Sequence, residues 1–249
     1  MRHVDFRGIG STVVTAVGAL LSTSAWACST SPPAHPTGAE STASEANPRY
    51  LEPSGRLLAS SETTPSDVIG YRQLSRADFK ASSLPAEASP SAKKIGAMTC
   101  ARISTTPETG FVAHEVDTPS GPRLQVRFRE LGFVALMDRG CSWWNPSKSL
   151  PHDYVLEHEQ VHFAITELGA RHLDRQAPQI VAEFRAEAET HEEARAIVRA
   201  KLEAIIKKSM QELIERHRQF DESTSGRYNP EGQRQWLDQL NRELEESRP

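Results

Sequence analysis

The chain has 249 residues, with 29 Lys and Arg against 33 Asp and Glu, and a formal net charge of −4. This balance, without any basic run along the chain, argues against a nucleic-acid-binding protein. Hydrophobic residues make up 37% of the chain and aromatic residues 6%, so a long polar segment must dilute an ordinary apolar core.

The N-terminal residues have the parts of an export signal. Two arginines precede a short apolar run over residues 9–21, and Ala25-Trp26-Ala27 forms an A-x-A cleavage site. The run is shorter than the ~20 apolar residues that span a bilayer. We therefore interpret residues 1–27 as a signal peptide and expect the protein in the periplasm or cell envelope, or otherwise secreted.

Cys28 directly follows this cleavage site, at the position that carries the lipid in bacterial lipoproteins. Ala25 and Trp26 fit the lipoprotein pattern poorly, so ordinary cleavage and release is the alternative. We favour lipidation of Cys28, which would attach the protein to a membrane. Residues 28–66 are rich in Ser, Pro and Ala and have few large apolar side chains, so we expect a disordered tether.

The remaining two cysteines can form a pair. If Cys28 carries a lipid, Cys100 and Cys141 are left together in a compartment that oxidises thiols. A disulfide between them would close a loop of about 40 residues and stabilise the fold by roughly 4 kcal/mol in the chain-entropy model. The alternatives are two free thiols, or a disulfide between Cys28 and one of the two.

Residues 67–249 are expected to form one α+β domain, mainly β over residues 67–140 and mainly α over 141–249. Short apolar or alternating segments predict a small antiparallel sheet. These segments are residues 97–105, 110–116, 123–129 and 133–137. The sheet would pack on a zincin-like helical core with a long second helix and a C-terminal helix.

The helical half contains several start and stop signals. The first helix is expected to end near Arg175, because Pro178 suits the first turn of a second helix. A capping-box sequence at Thr190 can break the second helix in two. Asn229 and Pro230 are typical of the start of a final helix.

The first helix carries the sequence H-E-x-x-H at residues 158–162. The spacing places His158 and His162 on one helix face about one turn apart, where both can bind one tetrahedral Zn²⁺. Glu159 can lie beside a metal-bound water and accept its proton. Apolar neighbours predict a helix with buried faces, where this polar cluster requires a ligand. We therefore predict a zinc site with Glu159 as general base.

Two stretches resemble a known family: Ser142-Trp143-Trp144-Asn145-Pro146, and the segment from Leu156 through the motif to Arg171. They are similar to the bacterial family of predicted secreted zinc-dependent proteases, over about residues 67–245. The resemblance implies a polypeptide substrate. It also extends to Asp221 in a motif before the last helix, and to Gln233 and Trp236 on that helix. Gly226 stands where the family has a histidine, and Ala164 replaces a family aspartate.

The third zinc ligand is less defined than the first two. A catalytic zinc site needs three protein ligands and one open position. Asp221 is the first choice, because the resemblance places it in a family motif, although a cap or turn role is the alternative. His191 is the rival if the second helix is unbroken and antiparallel to the first. Glu183 and Glu187 are further candidates.

The leading functional hypothesis is an exported zinc metallopeptidase. One alternative is a catalytically weakened or inactive zinc-binding envelope protein, since Gly226 replaces the family histidine. Another is an amidase acting on cell-wall peptides. Tyr228 is interpreted as a packing residue or an oxyanion donor, and His152, His172 and His217 as surface or helix-terminal histidines.

Overall fold

The computed structural model describes residues 4–7, 67–84, 96–225 and 228–248. The strands in these ranges are β1 (Val4–Arg7), β2 (Val68–Gly70), β3 (Ala97–Met98), β4 (Ala101–Thr105), β5 (Gly110–Thr118), β6 (Gly121–Glu130), β7 (Phe133–Asp138), β8 (Trp143–Trp144) and β9 (Ala186–Ala188). The helices are α1 (His152–Glu183), α2 (His191–Thr224) and α3 (Pro230–Glu246). Cys28, the predicted tether, Gly226 and most of the predicted signal peptide lie outside the described residues.

The strands form three small antiparallel sheets. Their orders are β1-β5-β6-β9, β2-β7-β4 and β3-β8. The α+β class is confirmed, but the single sheet that the sequence predicts is divided. β9 was not predicted, and it comes from the helical half, where Ala186 pairs with Val126 of β6. Three residues with the sequence Ala-Glu-Ala have little intrinsic strand preference, so their pairing depends on the tertiary fold.

β1 lies within the predicted signal peptide. It pairs antiparallel with β5, with Val4 opposite Ala113 and Arg7 opposite Gly110. Cleavage after Ala27 would remove β1 and leave β5 at the edge of its sheet.

α1 is longer than the sequence predicts. It continues through Pro178 to Glu183, so the expected start of a new helix at Pro178 is wrong. The proline removes one main-chain hydrogen bond, but Ala177 is buried and Ile180 packs against the core on the far side of it. This packing holds the last turns of the helix in place.

The predicted break at Thr190 is confirmed. The Thr190 side chain caps α2 by accepting a hydrogen bond from the Glu193 amide at 3.1 Å. Glu193 reaches back to the Glu189 amide at 2.7 Å. α2 therefore begins at His191 and is separated from α1 by β9. Among the described helices, none is sufficiently long and apolar to cross a membrane.

The interface between α1 and α2 positions the site. Buried residues recur every three or four positions along α2, which makes one continuous stripe: Val198, Leu202, Ile206, Met210, Leu213, His217, Phe220 and Thr224. Gly169 of α1 allows close approach, because a Cβ there would come within 2.5 Å of Leu213 Cδ1. The same stripe brings the C-terminal turns of α2 against the middle of α1.

A disulfide joins Cys100 and Cys141, whose Cα atoms are 5.8 Å apart. This is the pairing that the cysteine count predicts. The Cys100 amide also donates to Ser142 Oγ at 3.0 Å, and Ser142 Oγ donates to the Asp138 carbonyl at 2.6 Å. The disulfide therefore joins the residue before β4 to the chain that follows β7.

Candidate metal centre

Three predicted ligands meet at one point between α1 and α2. Nε2 of His158 and Nε2 of His162 each lie 3.1 Å from Asp221 Oδ1, and the two Nε2 atoms are 3.2 Å apart. Asp221 lies in the last turn of α2 and points towards α1, so it is neither a cap nor a turn residue. Within the described ranges, this group could hold a metal ion.

The size of this triangle fits a tetrahedral ion. Zinc bonds of ~2.0–2.1 Å place neighbouring ligand atoms about 3.3 Å apart, close to the three edges measured here. Hydrogen bonds alone do not account for all three contacts between these ligand atoms. If both imidazoles donate from Nε2 to Asp221, the contact between the two nitrogens has no acceptor. Two imidazole nitrogens and one carboxylate oxygen are also ligands that zinc accepts.

Glu159 lies next to this group and is 3% exposed. Its Oε2 atom is buried and has no hydrogen-bond partner among the described residues. Its charge acts on His162, where it contributes to raising the pKa of the imidazole. A buried carboxylate oxygen without a partner costs folding free energy. Glu159 is therefore placed to form a hydrogen bond with a ligand at this site.

His217 is the residue of this site that sequence reasoning missed. Its Nδ1 lies 2.9 Å from Nδ1 of His162, and the two rings stack with centroids 5.1 Å apart. It is 1% exposed, so the surface interpretation was wrong. The sequence contains a signal, since His217 is four residues from both Leu213 and Asp221 and so lies on the buried stripe of α2.

The charged groups of this site shift each other's pKa values. Burial raises the pKa of Asp221, but the adjacent His162 and His158 outweigh burial and hold that pKa far below its usual range. Burial lowers the pKa of His162, yet Asp221 and Glu159 raise it above its ordinary value. Burial and the neighbouring His162 lower the pKa of His217. The histidines and the two carboxylates are therefore electrostatically coupled, as expected of groups that meet at one buried point.

Aromatic residues and α3 support the site. The Phe220 ring lies 4.5 Å from the His158 ring and 5.1 Å from the His162 ring. Trp236 of α3 packs on Phe220 at 5.6 Å and donates to Ser223 Oγ at 3.0 Å. In this way α3 fixes the end of α2 that carries Asp221.

A second contact anchors α3 on α1. Gln233 is fully buried and donates from Nε2 to the Tyr154 carbonyl at 2.9 Å. The two residues that the family resemblance picked out on the last helix, Gln233 and Trp236, therefore both contact the elements that carry the three candidate ligands.

The rival ligands lie elsewhere. His191 begins α2, so at ~1.5 Å per residue it is about 45 Å from Asp221 along the helix axis. Glu183 ends α1, about 30 Å from His162 by the same measure. Glu187 lies in β9, beyond Glu183. None of these three can complete the group.

The other residues singled out from sequence have simpler surroundings. His172 is exposed and contacts Gln176, and His152 is exposed beside Trp144. Tyr228 is 55% exposed, and its ring packs on Tyr154 at 4.7 Å. The packing role of Tyr228 is therefore observed, and an oxyanion role stays a prediction.

Comparison of the chain with protein-family models, curated proteins and solved structures found no match. The similarity to secreted zinc proteases stays a prediction from the sequence.

Proposed function

We propose that the protein is an exported zinc-dependent metallopeptidase. One observation carries the proposal: two imidazole nitrogens and one carboxylate oxygen converge close to Glu159, whose buried Oε2 has no hydrogen-bond partner among the residues that the structure describes. Three protein ligands leave one position of a tetrahedral ion open, as catalytic zinc requires. A structural zinc site would instead have four protein ligands.

Each residue then has a distinct task in hydrolysis. Zinc bound there would lower the pKa of a water to about 7 and polarise the scissile carbonyl. Glu159 would accept a proton from the attacking water as the water oxygen bonds to the carbonyl carbon, and would pass it to the leaving nitrogen as the peptide bond breaks. His158, His162 and Asp221 would hold the ion.

The edge strand β2 supports a polypeptide substrate. Gln160 Oε1 accepts from the Leu74 amide at 2.7 Å, and its Nε2 donates to the Arg72 carbonyl at 3.3 Å. These two bonds attach the segment that follows β2 to α1 at Gln160, the residue after Glu159 in the sequence. β2 is at the edge of its three-stranded sheet. Edge strands commonly align peptides through main-chain hydrogen bonds.

Two observations support export. The N-terminal sequence has the parts of a signal peptide, and the Cys100–Cys141 disulfide suits an oxidising compartment outside the cytoplasm.

The test is a pair of Glu-to-Gln variants on α1. Glu159→Gln is expected to lower the hydrolysis rate of an unstructured protein by 10²–10⁴-fold and to leave bound zinc at one per chain. Glu183→Gln changes an exposed carboxylate at the end of α1, about 30 Å from His162, and is expected to keep wild-type activity. A chelator should abolish the wild-type rate.

Three results would contradict the proposal. Wild-type activity in Glu159→Gln would remove the general base from the mechanism. One zinc per wild-type chain without cleavage of any protein would favour the binding-protein alternative, and cleavage of cell-wall peptides alone would favour an amidase.

A further inference from the structure

The contact between His162 and His217 uses the ring nitrogen that faces away from the three candidate ligands. Nδ1 of His162 is 2.9 Å from Nδ1 of His217, while Nε2 of His162 faces Asp221 at 3.1 Å. A neutral imidazole has one N–H and one lone pair. The direction of the Nδ1 contact therefore decides which nitrogen of His162 can bind a metal.

Only one direction gives a ligand. If His162 donates from Nδ1, its Nε2 has a free lone pair directed at the metal position. If His217 donates instead, neutral His162 carries its hydrogen on Nε2 and cannot bind. A hydrogen-bond acceptor at position 217 thus selects the binding tautomer, the task that carbonyls and carboxylates perform for most metal-bound histidines.

The direction in which His162 donates to His217 has a cost in folding free energy that packing does not explain. When His217 accepts at Nδ1, it carries its own hydrogen on Nε2. That atom is buried without a hydrogen-bond partner in the part of the chain that the structure describes. A buried N–H without an acceptor destabilises the folded state. A leucine on the same buried stripe would avoid this cost.

The neutral ring also suits the charge of the site. Asp221 and Glu159 already place two carboxylates around the candidate ion. A carboxylate acceptor at position 217 would add a third negative charge in a buried place, where an unpaired charge is expensive. An imidazole accepts the same hydrogen bond without adding charge.

We propose that His217 is a positioning residue, which orients the His162 ring and holds it in the tautomer that binds the metal through Nε2. The inference rests on the proposed function, because it requires an ion at the three ligands.

The experiment measures zinc affinity by competition with a chromophoric chelator. His217→Leu removes the acceptor and puts an apolar side chain of similar size in its place, so it is expected to weaken zinc binding 10–100-fold. His217→Gln retains an amide oxygen that can accept, so a smaller loss is expected. His172→Leu makes the same change at an exposed histidine on α1 and should leave the affinity unchanged.

Thermal unfolding of the metal-free variants separates positioning from packing. The metal-free His217→Leu protein is expected to be close to the wild type in stability, because the substitution removes one buried N–H without a partner and leaves another, that of His162 Nδ1, without its acceptor. A loss of zinc affinity with an equally large loss of metal-free stability would show a packing role and overturn the inference.

The outcomes separate this inference from the proposed function. No zinc binding by the wild type overturns both, whereas equal binding by the wild type and His217→Leu overturns only the role of His217. If His217→Leu does not fold, ¹⁵N NMR of the zinc-loaded wild type decides. A hydrogen on Nδ1 of His162 and on Nε2 of His217 is expected, and a hydrogen on Nδ1 of His217 would overturn the inference.

Discussion

The last turns of α2 present two charged faces that differ in how their polar atoms are satisfied. On the outer face, Arg218 bonds to Glu215 at 2.5 Å and also pairs with Glu222, and all three side chains are about half exposed. On the inner face, His217 and Asp221 are turned towards α1. Each outer group finds its partner on the same helix, whereas on the inner face Nε2 of His217 is buried without a partner among the described residues.

The size of a pKa shift does not distinguish the two faces. Arg218 and Gln219 lower the pKa of Glu215 to about 2 on the outer face, and the histidines lower the pKa of Asp221 on the inner face. The difference lies in solvent. Water and salt screen the outer pairs, which therefore contribute little to stability. Burial together with an unpartnered atom, rather than charge alone, distinguishes the face that carries the candidate site.

Neutralising one carboxylate on each face gives the largest expected contrast. Structural zinc sites bind with ~10–16 kcal/mol from four ligands, or about 2.5–4 kcal/mol for each. Asp221→Asn is therefore expected to weaken zinc binding by a few hundred-fold, whereas Glu222→Gln, one residue further along, should leave it unchanged. Chelator competition measures both. Equal affinities for the two variants would remove Asp221 from the ligand set.

The sequence predicts the parts of the site that depend on local geometry. His158 and His162 share a helix face whatever the rest of the chain does, because the helical repeat fixes their relation. Asp221 follows from the family resemblance. His217 was missed because its role depends on the approach of α2 to α1, which local spacing does not determine.

The fold was predictable to a similar extent. Alternation along β6 and the cap at Thr190 are local signals, and both gave the correct element. β9 forms only because β6 offers a pairing partner, and α1 passes Pro178 only because Ile180 packs on the core. Both errors arise where tertiary contacts outweigh local preference.

Asp78 is a buried carboxylate that differs from Glu159, because both of its oxygens bond to protein groups. It bonds to Arg72 at 2.5 and 3.0 Å and to the amide and hydroxyl of Ser75 at 2.8 and 2.9 Å. Asp78→Asn is expected to lower the free energy of unfolding by about 2 kcal/mol at pH 7. Zinc affinity should not change. A parallel loss of zinc affinity would contradict the separation of structural from functional carboxylates.

The pH dependence of that effect has a definite sign. Burial raises the pKa of Asp78, but the bonds from Arg72 and Ser75 outweigh it and hold the pKa below its ordinary value. Because the folded-state pKa is depressed, the stabilisation is present above about pH 4 and is lost as the pH falls through the folded value. Urea unfolding of wild type and Asp78→Asn should therefore give curves that converge below about pH 4.

The smallest effect is expected at the outer face, where Arg218→Ala breaks both ion pairs at once. Each pair is exposed and lies within one helix, so salt and water already compensate most of its energy. Urea unfolding at low and high salt should show a slight loss of stability that disappears as salt is added, with zinc affinity unchanged. A large, salt-independent loss would mean that the outer face supports the position of Asp221, and the two faces of α2 would then not be independent.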